Sequence, residues 1–202
     1  NYVFIGGTFS PHSALTPTTV IGTTTLTTQG NTDIFVAKYS DAGVFQWARA
    51  AGSSSSSDFF GDITVDGSNN CYIVGGYFGA SMILNTVTLT NTGGMDAFLA
   101  KYSSIGNLQF ATSIFTSGNS LNDDCWAIDC DASNNLYICG SFSGTMVTTG
   151  INTLTNTTPG STTDIWVGKF NTSGAPTWVT RASGSNSETA RHLTCDAIGN
   201  IY

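Results

Sequence analysis

The chain has 202 residues, enough to bury a real core, and only 9% of them are charged, far below the roughly 25% of an average domain. A net charge of −7, with Lys38, Arg49, Lys101, Lys169, Arg181 and Arg191 scattered singly, excludes a nucleic-acid partner, which requires a basic stripe, and disfavours an anionic membrane surface. Aromatic (11%) and β-branched residues are too abundant for disorder, and no apolar run approaches the roughly 18–20 residues of a membrane span.

The chain opens on NYVFIGG at 1–7, an apolar run ending in Gly, and the same run returns as NCYIVGG at 70–76 and NLYICGS at 135–141, with NIY at 200–202 beginning it again. Starts at 1, 70, 135 and 200 give periods of 69, 65 and 65, so the chain reads as three repeats, 1–69, 70–134 and 135–199, with a fourth beginning at 200. After the opening run comes a variable connection carrying TLT at 25–27, 88–90 and 153–155. A third segment follows: DIFVAKY at 33–39, DAFLAKY at 96–102 and DIWVGKF at 164–170. A Ser/Gly turn (SDAG, SSIG, NTSG) then leads to VFQWARA, NLQFATS or APTWVTR. Each period closes on ITVD at 63–66, IDCD at 128–131 or LTCD at 193–196, and a five-residue turn of Asp, Asn and Gly joins it to the next opening run. That is four strand-length segments per period with turn residues between them, and no stretch has helical spacing. The expected fold is all-β: propeller blades, each a four-stranded antiparallel sheet, about three of them in one region over 1–202. A blade cannot bury both faces alone and must stack on neighbours.

The pattern Asp-apolar-Phe-Val-Ala-Lys-Tyr, a Ser/Gly turn, Gln-Trp-Ala, and later Val-Asp-x-x-x-Asn-x-Tyr-x-x-Gly resembles the SBBP-type bacterial β-propeller repeat over essentially the whole chain. Departures are mild: Phe110 stands where the other repeats have Trp47 and Trp178, and two turns read Asn-Asn in place of the usual Gly-Asn. The resemblance implies a propeller of secreted, cell-surface or virion-associated proteins and no common enzymatic activity. Three blades cannot close a ring, since propellers have at least four. The chain is therefore expected to be a window on a longer one, with chains joining to finish a ring, or blades stacked in an open array, as the alternatives. It opens on Asn rather than Met, so the native N-terminus is expected upstream.

Lys38, Lys101 and Lys169 share one slot, and Asp33, Asp96 and Asp164 open the same segments. They are expected to form one structural ion pair per blade rather than an anion site, because a catalytic or binding residue is not normally repeated in every copy. Asp66, Asp131 and Asp196 fit tight-turn chemistry better than calcium, since the twelve-residue ligand series is absent. Each of the five Cys replaces an apolar residue of another repeat, which makes small core hydrophobes the default and leaves a Cys125–Cys139 disulfide open. There is no Cys-x-x-Cys, and His12 and His192 lie far apart, so no metal or other cofactor is expected. A set of Glu188, His192 and Cys195 fails as a nucleophile site, because residues 192 and 195 point to opposite faces of a strand. Trp126 breaks the repeat pattern, aligning with Gly61 and Arg191, and His12 sits in the distinctive SPHSALTP connection; these two are the weak binding candidates. Asn156 and Asn171 head Asn-x-Ser/Thr sequences.

No catalytic residue emerges. The expected function is a non-catalytic extracellular or particle-surface scaffold for adhesion or assembly, with other copies of itself, other surface proteins or glycans as partners. A carbohydrate-binding or carbohydrate-active propeller, centred on Trp126 and nearby acids, is the alternative. Cell surface, virion surface or the extracellular space is the expected location, on the Thr-, Ser- and Asn-rich, Lys-poor composition.

Overall fold

The computed structural model describes residues 1–11, 18–54, 57–115, 121–147 (146 and 147 by backbone alone) and 151–202. The first repeat contributes β1 (Tyr2–Phe9), β2 (Thr18–Ile21), β3 (Thr24–Thr27), β4 (Asp33–Ser40) and β5 (Phe45–Ser53). The first repeat ends on β6 (Phe59–Val65), and the second adds β7 (Cys71–Tyr77), β8 (Ser81–Leu84), β9 (Val87–Thr90), β10 (Asp96–Tyr102), β11 (Leu108–Ser113) and β12 (Ala127–Cys130). The third adds β13 (Leu136–Phe142), β14 (Thr145–Val147), β15 (Thr153–Thr155), β16 (Asp164–Phe170) and β17 (Pro176–Ala182). There is no helix among the described residues.

The strands form blades. The second and third sheets run β11-β10-β7-β6 and β12-β13-β16-β17, and every pair within them is antiparallel. The first sheet holds β1, β4 and β5 and is extended past β5 by the β8–β9 hairpin of the second repeat, which ties two blades through backbone. The variable connections are therefore not plain loops: each TLT lies on a two-stranded hairpin (β2–β3, β8–β9, β14–β15). A triplet with only its central Leu (Leu26, Leu89 or Leu154) buried gives little signal, because the flanking Thr residues face outward.

Alternation explains why the blades stack. Cys71, Ile73, Phe98, Ala100 and Tyr102 of the second sheet pack with Ile34, Val36, Trp47 and Ala51 of the first. The alternate residues Tyr72, Val74, Ala97 and Leu99 pack with Ile128, Leu136, Ile138, Trp166 and Phe170 of the third. Both faces of β7 and β10 are thus core, which is why these strands read as continuous apolar runs.

Register refines the repeat alignment. Phe9 lies opposite Asp33, as Tyr77 does Asp96 and Phe142 does Asp164. Phe4, rather than Val3, therefore fills the slot of Tyr72 and Tyr137; the Gly-Gly pair in β1 is displaced by one residue relative to that in β7. The turn between closing and opening strands needs a left-handed residue at one place, filled by Asn69 (φ 60), Asn134 (φ 63) and Gly199 (φ 88). Asn and Gly are the residues that occupy this region at low cost, which accounts for their exchange between repeats. Asn69→Gly is expected to leave stability within about 0.5 kcal/mol of the parent, whereas Asn69→Val costs about 1–2 kcal/mol, read from urea unfolding midpoints.

Candidate functional site

The acids of this chain hold backbone. In each turn the Asp carboxylate accepts from amides two and four residues on: Asp66 from Ser68 and Asn70, Asp131 from Ser133 and Asn135 (all 2.9 Å), Asp196 from Ile198 and Asn200 (3.1 and 2.9 Å). The Asn70, Asn135 and Asn200 amides add a side-chain donor, and the hydroxyl of Tyr72, Tyr137 or Tyr202 completes the set. Burial alone would raise Asp66 and Asp131, but these donors hold all three carboxyls below their ordinary value. The Asp-x-x-x-Asn-x-Tyr pattern is a hairpin clamp.

The Asp33–Lys38, Asp96–Lys101 and Asp164–Lys169 pairs do not form. Each Asp stands at the start of its strand and each Lys at the far end, and a strand advances about 3.3 Å per residue. The strand-opening acids close the preceding connection instead. Asp33 accepts from the Gln29 and Gly30 amides, Asp96 from the Thr92 amide and hydroxyl, and Asp164 from those of Thr157 and from Arg181 at 2.9 Å. Lys101 instead reaches the turn carboxylate Asp66 at 3.4 Å and lies over the Tyr72 ring; Lys169 lies over Tyr137. Lys38 lies over Tyr2 and donates to the Ser104 carbonyl at 2.8 Å, and burial lowers its pKa.

The joint between the first two blades brings the chemistry closest together. Trp47 Nε1 donates to the same Ser104 carbonyl (3.2 Å) and Arg49 Nε to that of Gly106 (2.8 Å), so three donors of one blade grip the β10–β11 turn of the next. A cleft of about 600 Å³ opens beside them, lined by Tyr2, Lys38, Phe45, Trp47, Arg49 and Ser104 among others. At the other end of the sheets, Asp58, Asp123 and Glu188 donate their amides to the carbonyls of Thr32, Met95 and Thr163, a repeated seam between blades. Asp58 is buried, accepts the Ser53 amide and hydroxyl (both 2.6 Å), and is pushed up to about 6, chiefly by burial and further by the neighbouring Asp33. Two acids outside the repeat slots staple adjacent edge strands: Asp62 accepts from the Ile128 amide (3.1 Å), and Asp129 from the Cys195 amide (2.9 Å) and Thr194 hydroxyl (3.0 Å).

The remaining candidates fall elsewhere. His12 lies outside the described residues. Trp126 is half-buried, with Phe59 of the preceding blade at 4.4 Å between ring centroids and the Arg191 guanidinium at 4.3 Å; it is a rung between blades rather than an open platform. Asp124 beside it is raised by burial and takes the Ser141 amide. All five cysteines are free thiols, and burial together with Asp129 pushes Cys195 up to about 12, the reverse of an activated nucleophile. Asn156 is buried and donates to the Phe142 and Thr162 carbonyls, so its amide is closed to glycosylation in the folded state. Asn171 caps the β16–β17 turn through Ser173 and Ala175. Sequence reasoning missed the carbonyl-gripping role of Trp47 and Arg49, for which Trp recurring one strand from Lys was the available signal.

No family model matches the chain. Among curated proteins it is similar to "Uncharacterized WD repeat-containing protein L264" of Acanthamoeba polyphaga mimivirus, with 27% identity over 182 residues. That match covers 79% of this chain and 12% of the relative, so the chain spans about an eighth of the protein it resembles. The sheets and this likeness agree. The chain is a β-propeller-type repeat protein. No helix of the described residues is long and apolar enough to cross a membrane.

The carboxylates make opposite contributions with pH. Asp66 and Asp131, held low, stabilise the fold at neutral pH and lose that effect as pH falls through their folded pKa. Asp58 is the reverse: with a folded pKa of about 6 against 3.8, its ionisation costs roughly 3 kcal/mol at pH 7, and the cost vanishes below the lower value. Asp58→Asn, which keeps an acceptor for the Ser53 amide, is expected to be at least as stable as the parent at pH 7. It should lose the parent's gain between pH 7 and 5, as measured by thermal unfolding across that range.

Proposed function

We propose that the chain is a non-catalytic interaction scaffold of the SBBP repeat type, working at an extracellular, cell or particle surface, whose protein partners bind the connections between strands. The observation behind this reading is where the variation falls. The acids at repeat slots and the Lys38–Trp47 joint serve turns and blade seams, while Gly7 to Asp33, Gly76 to Asp96 and Ser141 to Asp164 differ in span (26, 20 and 23 residues). Variable segments on a rigid frame are where recognition usually resides. The hairpins present rows of exposed Thr, among them Thr23, Thr86, Thr88 and Thr90, a hydroxyl surface suited to contact without strong charge. The likeness to a WD repeat-containing protein supports an interaction role. Trp126, the aromatic on which a carbohydrate site would centre, is instead stacked on Phe59 and Arg191.

Thr23→Glu, Thr86→Glu and Thr88→Glu together should leave the melting temperature unchanged and weaken attachment of the purified chain to the particles or cells that carry it by roughly tenfold or more. Unchanged attachment would move recognition off the hairpins. Turnover of a glycoside, ester or peptide substrate that disappears in an Asp→Asn variant would replace the scaffold reading with an enzymatic one.

A further inference from the structure

The β4–β5, β10–β11 and β16–β17 turns are built on matched residues: SDAG at 40–43, SSIG at 103–106 and NTSG at 171–174. Each ends on a glycine in the left-handed region (φ 76, 81 and 80), and in each the first residue caps the turn. Ser40 and Ser103 cap with a hydroxyl, which accepts the amide of the residue four on, Val44 or Asn107 (both 3.1 Å). Asn171 caps with its side-chain carbonyl, which accepts the Ser173 amide (2.9 Å), the Ser173 hydroxyl (2.7 Å) and the Ala175 amide (3.1 Å). The two serines show that the cap needs only an acceptor. Asparagine brings an Nδ2 amino group as well, and among the described residues that group has no hydrogen-bond partner.

Asn171 and Ser173, with Thr172 between them, form the Asn-x-Ser acceptor sequence for an N-linked glycan. The same slots hold Ser40 and Ala42, or Ser103 and Ile105, in the other turns, so nothing in the blade itself demands this pair. The turn is open on the side away from the core. Gly174 faces the preceding blade, where a Cβ would come within 2.7 Å of the Phe110 ring, while Asn171 is half-buried and Thr172, Ser173 and Ala175 are exposed. The β10–β11 turn, which has a blade on each side, shows the same division. Gly106 lies against Trp47, Ser103 is half-buried, Asn107 is exposed and Ile105 is 70% exposed. A blade on the far side thus does not cover a turn of this kind. The other acceptor sequence, at Asn156, is the opposite case. Asn156 is 2% exposed and its Nδ2 donates to the Phe142 and Thr162 carbonyls (both 3.1 Å). Asn91 makes the matching bonds to the Tyr77 and Gly94 carbonyls in the second repeat, so the amide of Asn156 belongs to the repeat.

We propose that Asn171 is an N-glycosylation site, modified on Nδ2, while Asn156 stays bare. The co-reactant is a sugar carried on a lipid diphosphate, presented by a transferase. Nδ2 displaces the diphosphate at the anomeric carbon: the N–C bond forms as the C–O bond to the diphosphate breaks, the diphosphate leaves with the electron pair, and one amide proton passes to a base of the transferase. One N–H remains on the nitrogen. Oδ1, the atom that caps the turn, takes no part, so the glycan and the folded turn coexist. At Asn156 the same product would carry a sugar into a buried site and remove a donor from two carbonyls. The inference rests on the surface location in the scaffold reading, because this modification is made on chains that enter a secretory compartment. The two fail separately: hairpin variants report on attachment, and the mass of the chain reports on modification.

The test directs the chain into the secretory pathway of eukaryotic cells behind a cleavable signal peptide. The mass of all of it, retained and secreted, is read before and after an amidase that releases N-linked glycans. The amidase leaves Asp where a glycan stood, and in heavy-oxygen water that Asp is labelled, so peptide mapping locates the site. The expected result is one glycan, with conversion at residue 171 and none at 156. Asn171→Ser removes the acceptor but keeps the cap that Ser40 and Ser103 provide. It should abolish the mass shift completely and melt with the unmodified parent. Ser173→Ala should abolish the shift as well, and Ser173→Thr should keep it. A chain recovered without the shift, conversion at 156, or a shift that survives Asn171→Ser would each overturn the proposal.

Discussion

The structure depends on one constraint: the middle strands of each blade are apolar on both faces, so a blade is stable only between two others. Ile73 and Phe98 turn to one neighbour while Val74 and Leu99 turn to the other. At about 25 cal/mol per Å² of apolar surface removed from water, this stacking supplies the main favourable term. It is also non-directional, since apolar contact alone does not stop one sheet sliding on the next. Direction comes from a few hydrogen bonds at the margins: Trp47, Lys38 and Arg49 on a turn at one end, and the Asp58 and Asp123 amides on carbonyls at the other.

A chain with so few charges uses them chiefly to bind backbone, even where, as with Lys101–Asp66 and Arg181–Asp164, they also meet one another. Asp66, Asp131 and Asp33 accept amides, and Lys38, Arg49 and Arg181 donate to carbonyls. Buried backbone groups demand partners, and a carboxylate accepting several amides is a strong one. Short blades have many ends per residue, and at the ends the ladder runs out. Thr, Ser and Asn elsewhere on the surface leave these few acids without competing charge.

The repeat, the strand count per blade and the turn positions were legible in the residues, because Asp66, Asp131 and Asp196 recur with Asn four residues later and because DIFVAKY and its copies recur as apolar runs of strand length followed by a Ser/Gly turn. The hairpins in the connections were not, since Thr-rich strands of three or four residues with one face in water carry little apolar signal. The partner of the repeated Lys was misread for a geometric reason: Asp33 and Lys38 are near in sequence but at opposite ends of an extended strand, and Asp66 approaches Lys101 only once β7 and β10 pair. The one-residue offset of β1 was hidden by the Gly-Gly motif itself, which invites alignment on the glycines when the pairing is anchored by Phe9 opposite Asp33. Trp126 stood out as irregular; that the irregularity serves packing against Phe59 and Arg191 follows only from how neighbouring blades approach.

The stapling acids Asp62 and Asp129 sit two positions apart in repeat terms, and each reaches an amide correspondingly two rungs further along the adjoining strand. The repeats therefore look alike without being interchangeable. If duplication or unequal recombination dropped the middle copy and kept the reading frame intact, every apolar slot would still match. The carboxylate at the new seam would nevertheless face a neighbour shaped for a different rung. Copy number in such an array is thus coupled to the order of its members.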